Sequence, residues 1–289
     1  MDKRIIFLHI PKAGGMTLHS ILSREYSGRR IYSMGPSNIS AELEQFKSLP
    51  QPAREDVGLL MGHMPYGLHA YLPEPSTYIT MIRHPVRRII SHYHYVLSQP
   101  THYLYPLVTS EALSLKEFVT NGLSVELDNG QTRLLSGDFG ETPIGQCSEA
   151  MLAEAMNHIK SMFSVVGIME LFDASILHMK YVLRWKRRPL YTRRNVSSGR
   201  DRDTPIPPET ISLIEGYNRL DMELYDKCKS ALLNGIASGD YDVHGNLKRF
   251  QRMNQYYQHI MKLLGPTAKF YRGILRTIQV GGRQGTLPS

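Results

Sequence analysis

The chain has 289 residues, 42% of them hydrophobic, which is enough for one large domain with a buried core. Its 34 basic and 26 acidic residues give a net charge of +8, a balance that favours anionic partners such as nucleotides, acidic glycans, nucleic acid or a membrane surface. The only cysteines are Cys147 and Cys228, so we expect neither a disulfide scaffold nor a metal site of paired cysteines.

Short apolar runs alternate with segments of helical periodicity along most of the chain. The runs predict strands at 4–10, 30–33, 57–61, 78–82 and 163–166. Helical patterns follow at 15–24, 39–48, 86–97, 115–121, 149–160, 171–185 and 208–233. This alternation predicts an α/β fold in which helices flank a central parallel sheet.

The composition changes after Gly239. Residues 244–276 are basic and rich in tyrosine and methionine, with helical patterns at 246–264 and 267–278. We therefore predict a main domain over 1–238 and a basic helical extension with a flexible tail over 239–289. The extension either binds RNA or glycan, or packs on the main domain as an amphipathic helical pair, and we favour packing.

No targeting or membrane-spanning segment is expected. No stretch approaches the roughly 20 apolar residues of a membrane span. The first apolar run, 5–10, ends at Pro11-Lys12 and is shorter than the apolar core of a usual signal peptide. With so few cysteines, these features predict a cytoplasmic protein.

The first predicted strand runs into a lysine and two glycines, in FLHIPKAGGMTLHSIL at 7–22. Backbone amides at the start of a helix have no intrahelical partner and lie at the positive end of the helix dipole, so they attract anions. Lys12 precedes the glycines, and the triphosphate signature GxxxxGK[ST] is therefore absent. The segment is either a phosphate-binding loop or a plain strand-to-helix turn with a surface lysine.

Two more strand ends carry polar residues. In MIRHPVRRIISHYHY at 81–95, Arg83 lies at a strand–helix junction, and both Arg83 and Ser91 could reach one phosphate. In LLMGHMPYG at 59–67, His63 follows an apolar strand, and a neutral imidazole there could accept a proton from a hydroxyl. Ligands bind at the carboxyl ends of parallel strands, so we expect Lys12, His63 and Arg83 to lie at one sheet edge.

These three segments resemble motifs of sulfotransferases that use 3′-phosphoadenosine 5′-phosphosulfate. FLHIPKAGGMTL is similar to their 5′-phosphosulfate loop, and IRHPVRRIISHYHY is similar to their 3′-phosphate element. GHMPY resembles the Gly-His segment with the catalytic base in the Golgi heparan sulfate 2-O- and 6-O-sulfotransferases. FSVVGIMELFDASILHM resembles a later segment of that group, and NGQTRLLSG is similar to a stretch of its 6-O branch. The matches keep their order from residue 5 to about 230.

The resemblance implies roles for individual residues. Lys12 would contact the phosphosulfate and its leaving oxygen, His63 would be the base, and Arg83 and Ser91 would hold the 3′-phosphate. The 5′-phosphate would be held by the loop of Ala13, Gly14, Gly15, Met16 and Thr17. Further donor contacts are expected in the polar loop at 191–200, from Arg194, Asn195 and Ser197. The family usually has hydroxyl residues where this chain has Ala13 and Met16, so there only backbone donors remain.

The resemblance therefore implies a P-loop-like α/β enzyme that transfers a sulfuryl group from this donor to a hydroxyl of a saccharide or glycan. The donor is a co-substrate, and no metal is expected. Two other functions stay open: a nucleotide-dependent phosphotransferase, and a non-catalytic binder of anionic glycan or, less expected, nucleic acid. For the phosphotransferase, a kinase-like Asp-Phe-Gly triplet occurs at 138–140 and Glu170 could hold magnesium, but the HRD catalytic loop is missing.

Overall fold

The computed structural model describes residues 3–35, 38–192, 205–239 and 241–265. Its strands are β1 (Arg4–Leu8), β2 (Arg30–Met34), β3 (Val57–Gly62), β4 (Ser76–Ile82) and β5 (Phe163–Ile168). They form one sheet in the order β2-β3-β1-β4-β5, and all four pairings are parallel. The predicted α/β fold with a central parallel sheet is confirmed.

The described ranges contain twelve α-helices around the sheet. They are α1 (Gly15–Glu25), α2 (Ile39–Lys47), α3 (Gln51–Glu55), α4 (Pro85–Ser98), α5 (Tyr105–Ser110), α6 (Leu115–Thr120), α7 (Gly130–Ser136), α8 (Glu149–Met162), α9 (Phe172–Val182), α10 (Pro208–Tyr217), α11 (Arg219–Ser238) and α12 (Val243–Leu264). Across these same ranges, no helix has both the length and the apolar character needed to span a bilayer.

The expected single helix at 208–233 is in fact two, α10 and α11, which meet at Asn218. The Asn218 side chain is fully buried and donates to the carbonyl oxygens of Leu127 and Ile214, at 3.0 and 3.1 Å. The buried Asn218 side-chain amide makes these bonds at the point where the chain turns from α10 into α11. Tertiary contacts therefore override the helical periodicity of the sequence here. Helices α3, α5 and α7 were not predicted, because each is only five to seven residues long.

The core lies on both faces of the sheet. Ile6, Phe7 and Leu8 of β1 are fully buried, as are Leu59 and Leu60 of β3. A parallel strand covered on both faces has apolar residues at successive positions rather than at alternate ones, and this explains the continuous apolar run at the start of the sequence. A second, smaller apolar cluster is formed mainly by residues of α4, α5, α6 and α10, and it packs these helices against one another.

The described part of the C-terminal extension packs on the main domain. Val243 and Phe250 of α12 are buried in the main core, and α12 lies against α9. The buried amide of Asn254 accepts a hydrogen bond from the Tyr191 backbone N–H at 2.8 Å. This is the arrangement that we favoured for the segment. The boundary at 238/239 stays a prediction, and the helix expected at 267–278 lies outside the described residues.

Candidate functional site

Three neighbouring strand ends form the floor of the site. Strand β1 lies between β3 and β4, with Leu8 opposite Gly62 of β3 and Thr80 of β4. The backbone N–H of His9 donates to the Gly62 carbonyl at 2.9 Å, which extends the β1–β3 pairing by one residue. The segments that carry Lys12, His63 and Arg83 therefore leave the sheet side by side, as their parallel order predicted.

The loop between β1 and α1 has the backbone of an anion-binding turn. Lys12 and Gly14 both adopt the left-handed conformation, with φ of 65° and 80°. The first backbone bond of α1 joins the Thr17 N–H to the Gly14 carbonyl at 3.1 Å, so the amides of Gly15 and Met16 precede the intrahelical pattern. A Cβ at Gly15 would overlap the His9 ring, and one at Gly14 would overlap the Met169 sulfur. Gly15 is thus required by close packing against the His9 ring, and Gly14 by its left-handed backbone.

Arg83 is joined directly to this loop. Its Nη1 donates to the Lys12 carbonyl oxygen at 3.0 Å. The backbone of Arg83 is held by the fully buried Gln131, whose amide accepts from the Arg83 N–H and donates to its carbonyl, both at 2.9 Å. Glu170 lies 3.9 Å from Arg83 Nε and also accepts from the His84 N–H and the Tyr225 hydroxyl. The guanidinium is thereby fixed beside the loop between β1 and α1.

The Lys12 ammonium group is partly buried and lies close enough to the Arg83 guanidinium to be affected by its charge. Burial lowers its pKa, and the charge of Arg83 lowers it further, to about 8. Its Nζ lies 3.7 Å from the centre of the Tyr95 ring, which is a cation–π contact. Such a concentration of positive charge is unfavourable alone and is relieved by a bound anion.

Ser91 lies on the face of α4 that is turned towards the loop. Ser91 and Tyr95 are four residues apart on the helix, so their side chains leave it on the same face. Because Tyr95 contacts Lys12, the face of α4 that carries Ser91 and Tyr95 is the one turned towards the loop. The role of Ser91 in phosphate binding stays a prediction.

Two stacked histidines adjoin Lys12. The rings of His9 and His63 are 4.2 Å apart with an interplanar angle of 26°. Burial lowers the pKa of His63 to about 4, although a hydrogen bond from its ring to the His9 backbone raises it in part. The pKa of His9 is well below its ordinary value because of burial, then the neighbouring His63 and His19, and then Lys12. His63 is therefore neutral at physiological pH.

The sequence-predicted residues fall into three groups. Lys12 and Arg83 are joined by the hydrogen bond from the Arg83 guanidinium to the Lys12 carbonyl, and His63 stacks on His9. Ser91 lies on the same face of α4 as Tyr95, which contacts Lys12. The loop residues Ala13 and Thr17 are buried, whereas Met16 is exposed. The remaining candidates lie outside the described residues and stay predictions: Arg194, Asn195 and Ser197.

Sequence reasoning missed three residues of this site: His9, Tyr95 and Gln131. Tyr95 could have been found, because it lies one helical turn after Ser91 on a predicted helix. His9 and Gln131 act through tertiary contacts that no local spacing indicates. Within the described ranges, no three His, Cys, Asp or Glu side chains are grouped as in a metal site.

The Asp-Phe-Gly triplet at 138–140 does not form a kinase-like site. Asp138 pairs with the buried Arg133 at 2.6 Å and accepts the Thr142 N–H at 3.0 Å. These contacts close the turn after α7, in which Gly137 and Gly140 have positive φ. Glu170 is likewise engaged by Arg83, His84 and Tyr225. Both carboxylates therefore serve packing and positioning.

The buried histidines predict loss of stability in acid. An unfolded histidine takes up its proton near pH 6.5, whereas folded His63 does so only near pH 4. Between these values the unfolded state binds more protons, so the free energy of unfolding falls as the pH falls. The shift of His63 corresponds to a loss of up to about 3 kcal/mol, at about 1.4 kcal/mol per pKa unit. Urea unfolding of the parent at pH 7 and pH 4.5 measures this loss.

The variant His63→Asn removes this titration and is expected to show a smaller acid loss than the parent. The matched control is His259→Asn, because His259 is exposed on α12. Equal acid losses in the parent and in His63→Asn would show that the His63 pKa is not lowered on folding.

Known proteins share sequence similarity with most of this chain. The family model for galactose-3-O-sulfotransferase matches residues 2–269. The chain is 25% identical to bovine galactose-3-O-sulfotransferase 3 over 250 residues, covering 81% of this chain and 58% of the relative. It is 26% identical to human galactosylceramide sulfotransferase over 242 residues, covering 77% of this chain and 55% of the relative. The chain thus spans little more than half the length of these relatives.

Among solved structures, the chain is similar to mouse sulfotransferase SULT7A1 complexed with PAP. The TM-score is 0.37 at 14% sequence identity, with 77% of this chain and 65% of the other covered.

The match decides between branches of the sulfotransferases. The predicted sulfotransferase resemblance is confirmed, but the heparan sulfate 2-O and 6-O group that the motifs suggested is not the family that matches. The family match also runs across residue 238 and through α12, which packs on the main core. The chain belongs to the galactose-3-O-sulfotransferase family.

Proposed function

We propose that this protein transfers a sulfuryl group from 3′-phosphoadenosine 5′-phosphosulfate to a hydroxyl of a galactose-containing saccharide. One observation carries the proposal: the Arg83 guanidinium donates to the Lys12 carbonyl and so joins the ends of β1 and β4, beside a neutral histidine pair. The family match supports the reaction class. The names of the relatives, for galactose 3-O and for galactosylceramide, support the acceptor class.

The residues present fit an anionic donor. Lys12 supplies an ammonium group, Arg83 supplies a guanidinium, and the start of α1 supplies backbone amides at Gly15 and Met16. Ser91 adds a hydroxyl from α4. We assign the 5′-phosphosulfate end of the donor to Lys12 and the α1 amides, and the 3′-phosphate to Arg83 and Ser91.

In the chemical step, the acceptor oxygen forms a bond to sulfur while the bond from sulfur to the bridging phosphate oxygen breaks. The electron pair of that bond leaves with adenosine 3′,5′-bisphosphate, whose 5′-phosphate becomes more negative. Lys12 and the α1 amides are placed to stabilise that charge, because they are fixed before the reaction. Positioning and charge stabilisation therefore supply most of the catalysis.

His63 takes the proton of the acceptor hydroxyl. One ring nitrogen donates to the His9 backbone, so the other nitrogen of the neutral ring is an acceptor. Stacking on His9 holds the ring in this orientation. As the sulfuryl group leaves the donor, growing negative charge nearby favours the protonated imidazolium. His63 is thus the general base in this proposal, and His9 positions it.

The direct test is incubation of the protein with the phosphosulfate donor and methyl β-D-galactoside, followed by mass spectrometry of the saccharide. We expect a singly sulfated galactoside, with the ester on the 3-hydroxyl. Methyl β-D-glucoside and heparan sulfate serve as comparison acceptors. Donor binding without sulfation of any of them would contradict the reaction. Magnesium-dependent turnover of ATP instead would favour the phosphotransferase.

The lowered pKa of Lys12 predicts proton uptake when the donor site fills. In the free protein this pKa is about 8, so at pH 8 about half of the ammonium groups are deprotonated. A bound phosphate raises the pKa, and the complex therefore takes up about half a proton while affinity falls above pH 8. Calorimetric titration with adenosine 3′,5′-bisphosphate in Tris and in HEPES measures the uptake from the difference in heat. Equal heats, after correction for dilution, would show that Lys12 does not change protonation.

A further inference from the structure

Three aromatic rings form an exposed cluster beside Lys12. They belong to Tyr95 of α4 and to His102 and Tyr103 of the turn that follows it. Tyr95 meets His102 edge-on at 5.7 Å, and His102 stacks on Tyr103 at 4.7 Å with an interplanar angle of 25°. We call these three residues the aromatic platform. The Lys12 Nζ lies over the Tyr95 ring, so the platform begins at the reacting end of the proposed donor site.

The platform is held rigidly from below. His102 Nδ1 accepts the Leu104 N–H at 3.2 Å, which places the proton of the neutral ring on Nε2. The Tyr103 hydroxyl donates to Ser124 Oγ at 2.8 Å. The buried His92 meets His102 edge-on at 5.6 Å. These contacts orient rings that make little contribution to the core.

The amount of exposed ring surface points to a ligand. The Tyr103 side chain is 62% exposed and that of Tyr95 is 36% exposed, although both rings are fixed by neighbours. Grouped aromatic surface in water is unfavourable, and in proteins it marks binding sites more often than a structural need. Glu126, 3.6 Å from His92 Nε2, and the Nε2–H of His102 add polar groups at its edge. Flat apolar faces with a few directed polar groups suit a pyranose ring, which has C–H bonds on one face and hydroxyls at its rim.

We propose that the aromatic platform is the acceptor subsite, on which the C–H face of the galactose ring packs during sulfation. This inference rests on the proposed function and names the residues that select its acceptor. The position of the platform favours the acceptor over the adenine of the donor. The sulfuryl group lies at the Lys12 end of the donor, whereas adenine lies a ribose away from it. A ring in contact with the Lys12 ammonium is therefore next to the incoming hydroxyl.

The key variant is Tyr103→Ala, because this exposed ring can be removed without opening the core. We expect the KM for methyl β-D-galactoside to rise about tenfold or more, and the Kd for adenosine 3′,5′-bisphosphate to stay within about twofold. Tyr103→Phe keeps the ring and is expected to keep the KM near that of the parent. The matched control is Tyr71→Ala, since Tyr71 is 37% exposed. Its ring lies near Lys47 and Arg54, which precede the start of β3 and so lie at the end of the sheet away from the site.

Each of the other outcomes contradicts either the aromatic platform or the proposed function. If the parent sulfates the galactoside and Tyr103→Ala has an unchanged KM, the platform is wrong and the proposed function stands. If Tyr103→Ala instead loses affinity for the bisphosphate, the ring belongs to the donor site. An equal rise of KM in Tyr71→Ala would also overturn the platform. A parent that neither binds methyl β-D-galactoside by saturation-transfer NMR nor sulfates it overturns the proposed function, and the platform with it.

Discussion

Replacement of His63 by asparagine is expected to lower kcat by about 10²- to 10⁴-fold, the usual contribution of a general base. Asparagine keeps a polar group of similar size but cannot accept the acceptor's proton at neutral pH. The Kd for adenosine 3′,5′-bisphosphate should change by less than about threefold, because His63 stacks on His9 and is not among the residues assigned to the donor. Steady-state kinetics and calorimetric titration on the same preparation separate the two effects.

The exposed His259 supplies the control, and His259→Asn should have the kcat and Kd of the parent. The variant His9→Asn separates positioning from proton transfer. If His9 only orients His63, some turnover remains in His9→Asn, and its dependence on pH shifts as the His63 ring is released. Full turnover in His63→Asn with none in His9→Asn would assign the base to His9.

Replacement of Lys12 by alanine is expected to weaken the binding of adenosine 3′,5′-bisphosphate by about 10- to 100-fold, and to lower kcat as well. A charge-assisted hydrogen bond to phosphate contributes about 1.5–3 kcal/mol, more than a neutral one. The loss in kcat follows because the same ammonium meets the charge that grows on the leaving phosphate. Calorimetric titration gives the Kd, and kcat is measured with saturating donor.

Lys227→Ala is the matched control, because Lys227 is exposed on α11 and pairs with Glu223 of the same helix. It removes the same net charge, and its Kd should stay near that of the parent. If Lys227→Ala and Lys12→Ala weaken binding equally, the effect of Lys12 is a long-range effect of net charge. Adding salt would then abolish it, whereas a partly buried contact persists.

The Lys12–Arg83 contact shows how the fold prepares the site before any ligand arrives. Gln131 holds the Arg83 backbone with two hydrogen bonds, and Arg83 in turn holds the Lys12 carbonyl. The backbone N–H groups of Gln131 and Thr132 donate to the buried carboxylate of Asp221 in α11, at 3.1 and 2.7 Å. The positive charges of Lys12 and Arg83 are thereby kept close together, and the stability of the folded core offsets the unfavourable free energy of their desolvation. Little reorganisation is then needed when the donor binds.

Local patterns were sufficient for the strands and for the polar residues that follow them. Apolar runs without alternation indicated strands buried on both faces, and helices between strands required parallel pairing. From those two facts alone, Lys12, His63 and Arg83 had to leave the same sheet edge. The glycines after Lys12 likewise indicated a tight turn: Gly14 has a left-handed backbone, and Gly15 packs too closely against the His9 ring for a side chain.

Contacts between distant segments could not be predicted from the sequence in the same way. Gln131 lies 48 residues after Arg83, and no spacing or composition marks it as the group that holds the arginine. The helix expected at 208–233 broke at Asn218 because buried amide bonds to Leu127 and Ile214 outweighed local propensity. His9 follows directly on the apolar run of β1, where the sequence predicted one more strand residue, yet its ring stacks on that of His63 at 4.2 Å.

The sequence by itself determined the parallel α/β architecture, the tight turn after β1 and the sheet edge at which Lys12, His63 and Arg83 lie, because these depend on periodicity and on residues near each other in the chain. Only the tertiary structure decided which side chains meet at that edge: His9 with His63, Gln131 with Arg83, and Tyr95 with Lys12. The physical reason is that burial, pKa and hydrogen-bond partners are set by packing between segments, which one chain segment does not encode alone.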